Sequence, residues 1–262
     1  VGAYNATSLL IDDPEEFERE VLGLLNLKPA AISTQIVPPE PMSDFIHAVI
    51  SSFSVLANFS DDMRHLQRSE IGEVMERVEA EQVGSSTMPH KRNPIGFESV
   101  KSLWKKFMPQ VITMHLDQIS EHQRDLTNSA SQRYTQELLV VFDYCVRTLK
   151  RISERLEVDR KRMRANFMQA RDMIIAEPLY ILLSYYGHPD AHEYVRRKSF
   201  QAYRENKPLK ELVEQDAEVL PYLQSFTKEQ KEKVFDAEKY IGIAVEKTEK
   251  VLRYWEEVLK DL

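Results

Sequence analysis

Glycine is scarce in this chain, with 7 among 262 residues, where average usage is about 7%. A dinucleotide-binding α/β fold or a β-sandwich uses glycine at turns and close backbone approaches, so both are excluded as expectations. Cysteine occurs once. That rules out an internal disulfide framework and a Cys-rich zinc site, and it suits a reducing compartment such as the cytoplasm. Basic residues do not dominate: 35 Lys and Arg stand against 42 Asp and Glu, for a net charge of −7. A general nucleic-acid binder needs a basic face, so no nucleic-acid partner is expected. No uninterrupted apolar run reaches the roughly 18 residues of a membrane span, so no membrane partner is expected either. The first residue is Val, and a processed or truncated chain is the expectation.

What is present is helical material. Charged residues make up 29% of the chain, and Glu, Lys, Leu and Arg favour long helices with few turns. The expected fold is all-α: part of a long-helix bundle over residues 1–162, then a smaller C-terminal helical domain over 163–262.

Asp13, Pro14, Glu15 and Glu16 read as the cap and first turn of a short helix over 14–25. Pro29, Pro38, Pro39 and Pro41 make 27–41 an irregular connector that contains Ser33-Thr34-Gln35. A long helix is expected from Met42 to about Val78, with Phe45, Val49, Ser52, Leu56, Phe59, Met63 and Leu66 as its buried stripe. After a loop over 79–93, Pro94 opens a second helix to about Gln123. Its stripe is Val100, Leu103, Trp104, Phe107, Val111 and Met114, and Pro109 should kink it. A third helix carries Leu138, Phe142, Cys145, Leu149, Ile152 and Leu156. Cys145 lies on that seam and reads as core. From about Met163 the pieces shorten, punctuated by Pro178, Gly187-His188-Pro189, Pro208 and Pro221. Thr227 and Gln230 form a capping box. It opens a last helix whose stripe runs through Ala237, Ile241, Ala244, Thr248, Val251, Trp255 and Val258.

The densest polar segment is GSSTMPHKRNP, from Gly84 to Pro94. Ser85, Ser86 and Thr87 set three hydroxyls in a row, Lys91 and Arg92 add cations, and Asn93 can cap the helix that follows. Hydroxyls and a lysine beside a helix N-terminus suit a small carboxylate or phosphate. A plain connector with a capping Asn would have the same composition. Arg124, Ser129 and Arg133 form a second group, two guanidiniums flanking a hydroxyl, which suits a phosphate or else a solvated helix junction. His188 and His192 are four apart, but Pro189 and the lack of a third ligand favour a surface turn over a metal site. No metal and no organic cofactor is expected.

GSSTMPHKRNP resembles the signature loop of the fumarase/aspartase superfamily. Its His-Lys-Arg-Asn-Pro is closer to the adenylosuccinate lyase family and the carboxymuconate cycloisomerases than to argininosuccinate lyases. RDLTNSASQR, from Arg124 to Arg133, is similar to the AMP-phosphate segment of the adenylosuccinate lyase family. Thr34-Gln35 is similar to its substrate-contacting Thr-Gln, and the pieces around Glu177-Pro178 and Leu209–Val213 to its C-terminal domain.

The resemblance implies a lyase that eliminates fumarate from adenylosuccinate to leave AMP, and from a succinyl-carboxamide ribotide of purine synthesis. It also implies a homotetramer with active sites shared between subunits. Ser85 would be the general base, grouped with Ser86, and Lys91 would stabilise the dianionic intermediate. Glu98 would orient an acid histidine. Asn93 would hold a substrate carboxylate. Thr34, Gln35, Thr87, Met88 and His90 would contact substrate, and Arg124, Ser129 and Arg133 its phosphate. None of the seven histidines, His47, His65, His90, His115, His122, His188 and His192, sits where the family keeps its acid. The acid is therefore expected outside this chain, and the chain alone is expected to be inactive. Two alternatives stay open: a 3-carboxymuconate cycloisomerase, which needs no phosphate site, and a non-catalytic helical assembly module.

Overall fold

The computed structural model describes residues 2–77, 92–119, 121–123 and 125–260. Contacts within it group the chain into two units that divide between Asp159 and Arg160. The first unit opens with a 3-10 turn at Thr7–Leu9 and helix α1, Pro14–Gly23. Asp13 caps α1 by accepting from the Glu16 N–H at 2.9 Å, as its sequence suggests.

Helix α2 runs Glu40–Leu66, and helices α3, Ile95–Phe107, and α4, Gln110–Leu116, return along it. Four polar contacts fix the pairing. The Ser43 hydroxyl donates to the Met114 carbonyl at 3.2 Å. The Trp104 indole N–H donates to Ser54 Oγ at 2.9 Å. Lys101 Nζ lies 2.5 Å from an Asp61 carboxylate oxygen. Gln67, at the end of α2, donates to the Arg92 carbonyl at 3.3 Å. Partner numbers fall as α2 numbers rise, so the pair is antiparallel. Helix α5, Gln132–Ser153, completes the packing, with Phe142 edge-on to Phe53 at 5.8 Å between centroids. The core contains Ile46, Ile50, Phe53, Phe97, Val100, Phe107, Met114, Leu138, Cys145 and Ile152. Short strands β1, Val74–Met75, and β2, Glu157–Val158, pair antiparallel beside it.

The structure moves several sequence expectations. Helix α2 ends at Leu66 and not near Val78. The Gly72 N–H bonds the Arg68 carbonyl in a left-handed conformation, φ +62°, which turns the chain back. The buried face of α2 is Ser43, Ile46, Ile50, Phe53, Ala57 and Ser60, one position away from the expected stripe. Phe45 and Ser52 are exposed, and Val49, Leu56, Phe59 and Met63 flank the core. Buried serines are tolerated because their hydroxyls bond helix carbonyls, Ser60 to Leu56 at 2.8 Å.

Pro109 interrupts its helix rather than kinking it, because it lacks the N–H that α3 would need to continue. It serves as the N-cap of α4, which stops at Leu116 and not near Gln123. By length and composition alone, α2 is apolar enough to cross a membrane. In the structure, the face of α2 toward α3, α4 and α5 carries the contacts above.

The second unit contains α6, Arg160–Ile174; α7, Ala176–Tyr185; α8, Ala191–Glu205; α9, Leu209–Glu214; α10, Leu220–Ser225; α11, Lys228–Phe235; and α12, Ala244–Val258. Its core gathers Leu179, Leu183, Tyr194, Val195, Leu209, Val213, Val219, Leu223, Phe226 and Val234. The Thr227–Gln230 capping box is formed. The helix it opens stops at Phe235 instead of running on. Asp236 turns extended and accepts from the Glu238 N–H at 3.2 Å. Gly242 adds a left-handed residue, φ +57°. The expected stripe is therefore split, and α12 buries no residue. His188 is buried, against the expected surface turn. Its Nδ1 accepts from the Asp190 N–H at 3.1 Å, and its ring packs between Tyr194 and Tyr222.

Cys145 is buried on its seam, and loss of water pushes its thiol up to about 11. The folded chain should react with iodoacetamide at pH 8 on the order of 100-fold more slowly than the unfolded chain. Intact mass against time, with and without urea, checks this. A Cβ built on Gly96 would lie 2.1 Å from Ile152 Cδ1 and 2.9 Å from a Glu76 oxygen. Gly96→Ala should cost about 1–3 kcal/mol through overpacking, read by urea unfolding.

Candidate functional site

Those of the predicted site residues that the structure describes fall into three parts of it. Ser85, Ser86, Thr87, Met88, His90, Lys91 and Arg124 lie outside the described residues. Of the rest, Asn93 and Glu98 belong to the start of α3. Ser129 lies in the turn just before α5, and Arg133 in its first turn. Thr34 and Gln35 belong to the connector that enters α2.

At the α3 end, the chain leaves α2, turns at Gly72, passes through β1 and reaches Glu76. The Gln67 side chain bridges two backbones here. It donates to the Arg92 carbonyl at 3.3 Å and accepts from the Glu76 N–H at 2.8 Å. The Glu76 carboxylate in turn accepts from the Gly96 N–H, its closer oxygen at 3.0 Å. Loss of water raises this carboxyl above its ordinary range, while the Gly96 and Phe97 N–H groups oppose that. A helix N-terminus leaves its first N–H groups without intrahelical partners, and here Glu76 satisfies one of them.

This corrects one expectation: Pro94, not Asn93, is the N-cap, and no side chain of its own caps it. The Gly96 N–H is taken by the Glu76 carboxylate. Asn93 is half-buried and its carbonyl accepts from the Ile95 N–H at 2.9 Å. Glu98 is exposed in the first turn of α3, a position that the helix dipole favours for an acid.

At the other end, Asp117 follows α4 and ties the corner into α5. Its carbonyl accepts from Asn128 Nδ2 at 2.9 Å, and its Oδ1 accepts from the Ser131 hydroxyl at 2.8 Å. Asp125 folds the segment before this by accepting from the Thr127 N–H at 2.9 Å and hydroxyl at 2.7 Å. Those bonds hold the Asp125 carboxyl below its ordinary range. Between these ties, Ser129 is half-buried and Arg133 is exposed. The connector is more loosely built. Thr34 donates from its N–H to the Ile36 carbonyl at 3.2 Å, and the Ser33 hydroxyl accepts from the Gly2 N–H at 3.1 Å. Thr34 and Gln35 are both exposed.

The antiparallel pair sets the distance between the groups. Ser43 of α2 meets Met114, near Asp117, while Gln67 meets Arg92, next to Asn93. At about 1.5 Å per residue, those two ends of α2 are roughly 36 Å apart. No nucleotide-sized ligand bridges that span, so Asn93 and Ser129 cannot serve one such ligand within a single copy.

Sequence reading missed Gln67, Glu76, Asp117, Asn128 and Ser131. Their contacts join segments distant in the chain and carry no local periodic signal. No group of three or more His, Cys, Asp or Glu suited to a metal ion is found among the described residues.

Comparison with known proteins bears on this architecture. A family model described as Lyase matches residues 1–108, and one described as Adenylosuccinate lyase C-terminal matches 120–234. The chain is 35% identical over 262 residues to an adenylosuccinate lyase of Archaeoglobus fulgidus, covering 99% of this chain and 58% of that protein. It is 37% identical over 260 residues to that of Pyrococcus horikoshii, covering 98% of this chain and 57% of that protein. The chain thus spans little more than half the length of these curated relatives. Among solved structures, it resembles the 3-carboxy-cis,cis-muconate lactonizing enzyme of Pseudomonas putida. There the TM-score is 0.70 at 26% identity, over 86% of this chain and 50% of that one. A fumarate lyase of Mesorhizobium sp. BNC1 matches with TM-score 0.70 at 21% identity, over 86% of this chain and 49% of that one, a likeness of fold.

The Asp117 corner makes a prediction independent of any ligand. Ser131→Ala removes a part-buried hydroxyl bond and should cost about 0.5–1.5 kcal/mol in urea unfolding. Amide exchange should rise at the first turn of α5 and stay unchanged in α2.

Proposed function

Because the chain belongs to the adenylosuccinate lyase family of the fumarase/aspartase superfamily, we propose that it carries part of the machinery that eliminates fumarate from adenylosuccinate, leaving AMP. The succinyl-carboxamide ribotide of purine synthesis is the second substrate. The reaction removes a Cβ proton, forms the carbon–carbon double bond and breaks the Cα–N bond, and the departing nitrogen takes up a proton.

Ser85 is the base in this reading, with Ser86 beside it. An alkoxide is costly unless its surroundings favour negative charge, and Lys91 with neighbouring N–H donors supplies that. The same groups stabilise the aci-carboxylate formed when the Cβ proton leaves. Asn93 holds a substrate carboxylate, with Thr34, Gln35, Thr87, Met88 and His90 as further contacts. Arg124, Ser129 and Arg133 take the phosphate, where paired guanidiniums give bidentate bonds. Glu98 orients an acid histidine in a family context that none of the seven histidines here occupies. No cofactor enters the scheme.

The observation that carries the reading is the roughly 36 Å between the two halves of the site, set by the rise of α2. One substrate needs both halves, so copies of the chain must supply them to each other. This supports active sites shared between copies; the homotetramer is what the family resemblance implies.

The likeness to the muconate lactonizing enzyme favours a second reading, a cycloisomerase of the same superfamily. That substrate class has no phosphate, so Arg133→Ala separates the two. It should abolish AMP binding in a lyase and change nothing in a cycloisomerase.

The direct test is fumarate release from adenylosuccinate, with intact mass recorded on the same sample. The 262-residue chain alone should release none. Release should appear when the N-terminal portion of a relative is supplied and disappear again with Ser85→Ala. Release from the chain alone would overturn the placement of the acid. No release in either case would favour a non-catalytic assembly module.

A further inference from the structure

We propose that Glu76, fixed by Gln67, is a positioning residue for the carboxylate end of the substrate site. This rests on the lyase reading and deepens it.

The argument starts from geometry. Two groups of the carboxylate end, Asn93 and Glu98, flank Gly96 at the start of α3. That start has no cap of its own: Pro94 is the N-cap and offers no side-chain bond. Its order comes from elsewhere in the chain. Glu76 accepts from Gly96 at 3.0 Å, and Gln67 ties the Glu76 N–H to the Arg92 carbonyl. Gln67 is anchored in turn as the C-cap of α2, its N–H bonded to the Met63 carbonyl. The backbone on either side of Asn93 is thus pinned to the end of one rigid helix.

Gly96 gives an independent sign that this approach is tight, because a methyl group there would meet both Ile152 and Glu76. A bond from an N–H to a partly buried carboxylate is stronger than one between neutral groups and more directional than a contact with water. Glu76 also supplies the negative charge that the α3 N-terminus favours. The substrate carboxylate must then be held by side chains, Asn93 among them. Any shift of the Arg92–Gly96 backbone moves that side chain directly.

The test measures fumarate and AMP affinity of the full chain, wild type against Glu76→Ala, Glu76→Gln and Gln67→Ala. Circular dichroism and urea unfolding confirm the fold of each. Glu76→Ala should weaken fumarate about tenfold or more, since a charged bond is lost. AMP, recognised at the far end of α2, should bind as in wild type. Glu76→Gln keeps an acceptor for Gly96 and should recover most of the loss. Amide exchange at Asn93, Gly96 and Phe97 should rise about tenfold in Glu76→Ala, with the centre of α3 unchanged.

A folded Glu76→Ala that binds fumarate like wild type overturns the positioning role. So does unchanged exchange at Gly96. If AMP and fumarate weaken together, the residue acts on the whole unit and the role is again overturned. If no form binds fumarate or AMP while exchange at Gly96 still rises, the lyase reading fails and the contact stands as structural only.

Discussion

The architecture of the first unit depends on the antiparallel clasp of α2 against α3 and α4. Helices this long gain most of their stability by burying one stripe. Apolar burial is non-directional, so a smooth stripe would let the helices slide. The polar contacts along the clasp remove that freedom. Ser43 to Met114, Ser54 to Trp104, Asp61 to Lys101 and Gln67 to Arg92 each join one position on α2 to one position opposite and so specify a register. They contribute less energy than the core around Phe53, Phe97 and Leu138, but they decide where along the helix each residue ends up.

That register separates the chemistry. Asn93, which the family resemblance assigns to a substrate carboxylate, lies at one end of the clasp, and Ser129 and Arg133, which it assigns to the phosphate, lie beyond the other. A fold built of straight helices cannot bend to bring them together. Its flanks leave Phe45 and Val55 exposed on α2 and Val140 and Tyr144 on α5. In the proposed enzyme, oligomerisation and substrate recognition are therefore one requirement.

The all-α class was legible because glycine scarcity and apolar spacing act locally and repeat over many turns. The stripes of the second and third helices matched the observed core for the same reason: Val100, Phe107, Leu138 and Cys145 are all buried. The α2 stripe was read one position off. Bulky Phe45 and Leu56 drew it away from Ser43, Ala57 and Ser60, small residues that let neighbours approach. Helix ends were legible where a local cap exists, at Asp13 and Thr227. They were misread where the stop carries no such local mark, as at Leu66 and at Phe235, where Asp236 turns extended, or where it coincides with a tie from elsewhere, as at Asp117. The candidate site is read as a run of residue types around Asn93 and around Ser129. The contacts of Glu76 and Asp117 beside those runs were not legible, because their partners lie in other segments and leave no mark on their own neighbourhood.

The clasp also restricts how such a chain can change length. Inserting seven residues into α2 alone lengthens it by about 10 Å and takes every contact beyond the insertion out of step. The same insertion made opposite, in α3, restores them. Viable insertions and deletions in this unit must therefore come as matched pairs of near-whole turns, and each pair resets the spacing between the two ends of the clasp by a fixed increment. The unit works as a ruler graduated in helical turns, and the dimensions of any assembly built from it are counted out in residues of α2.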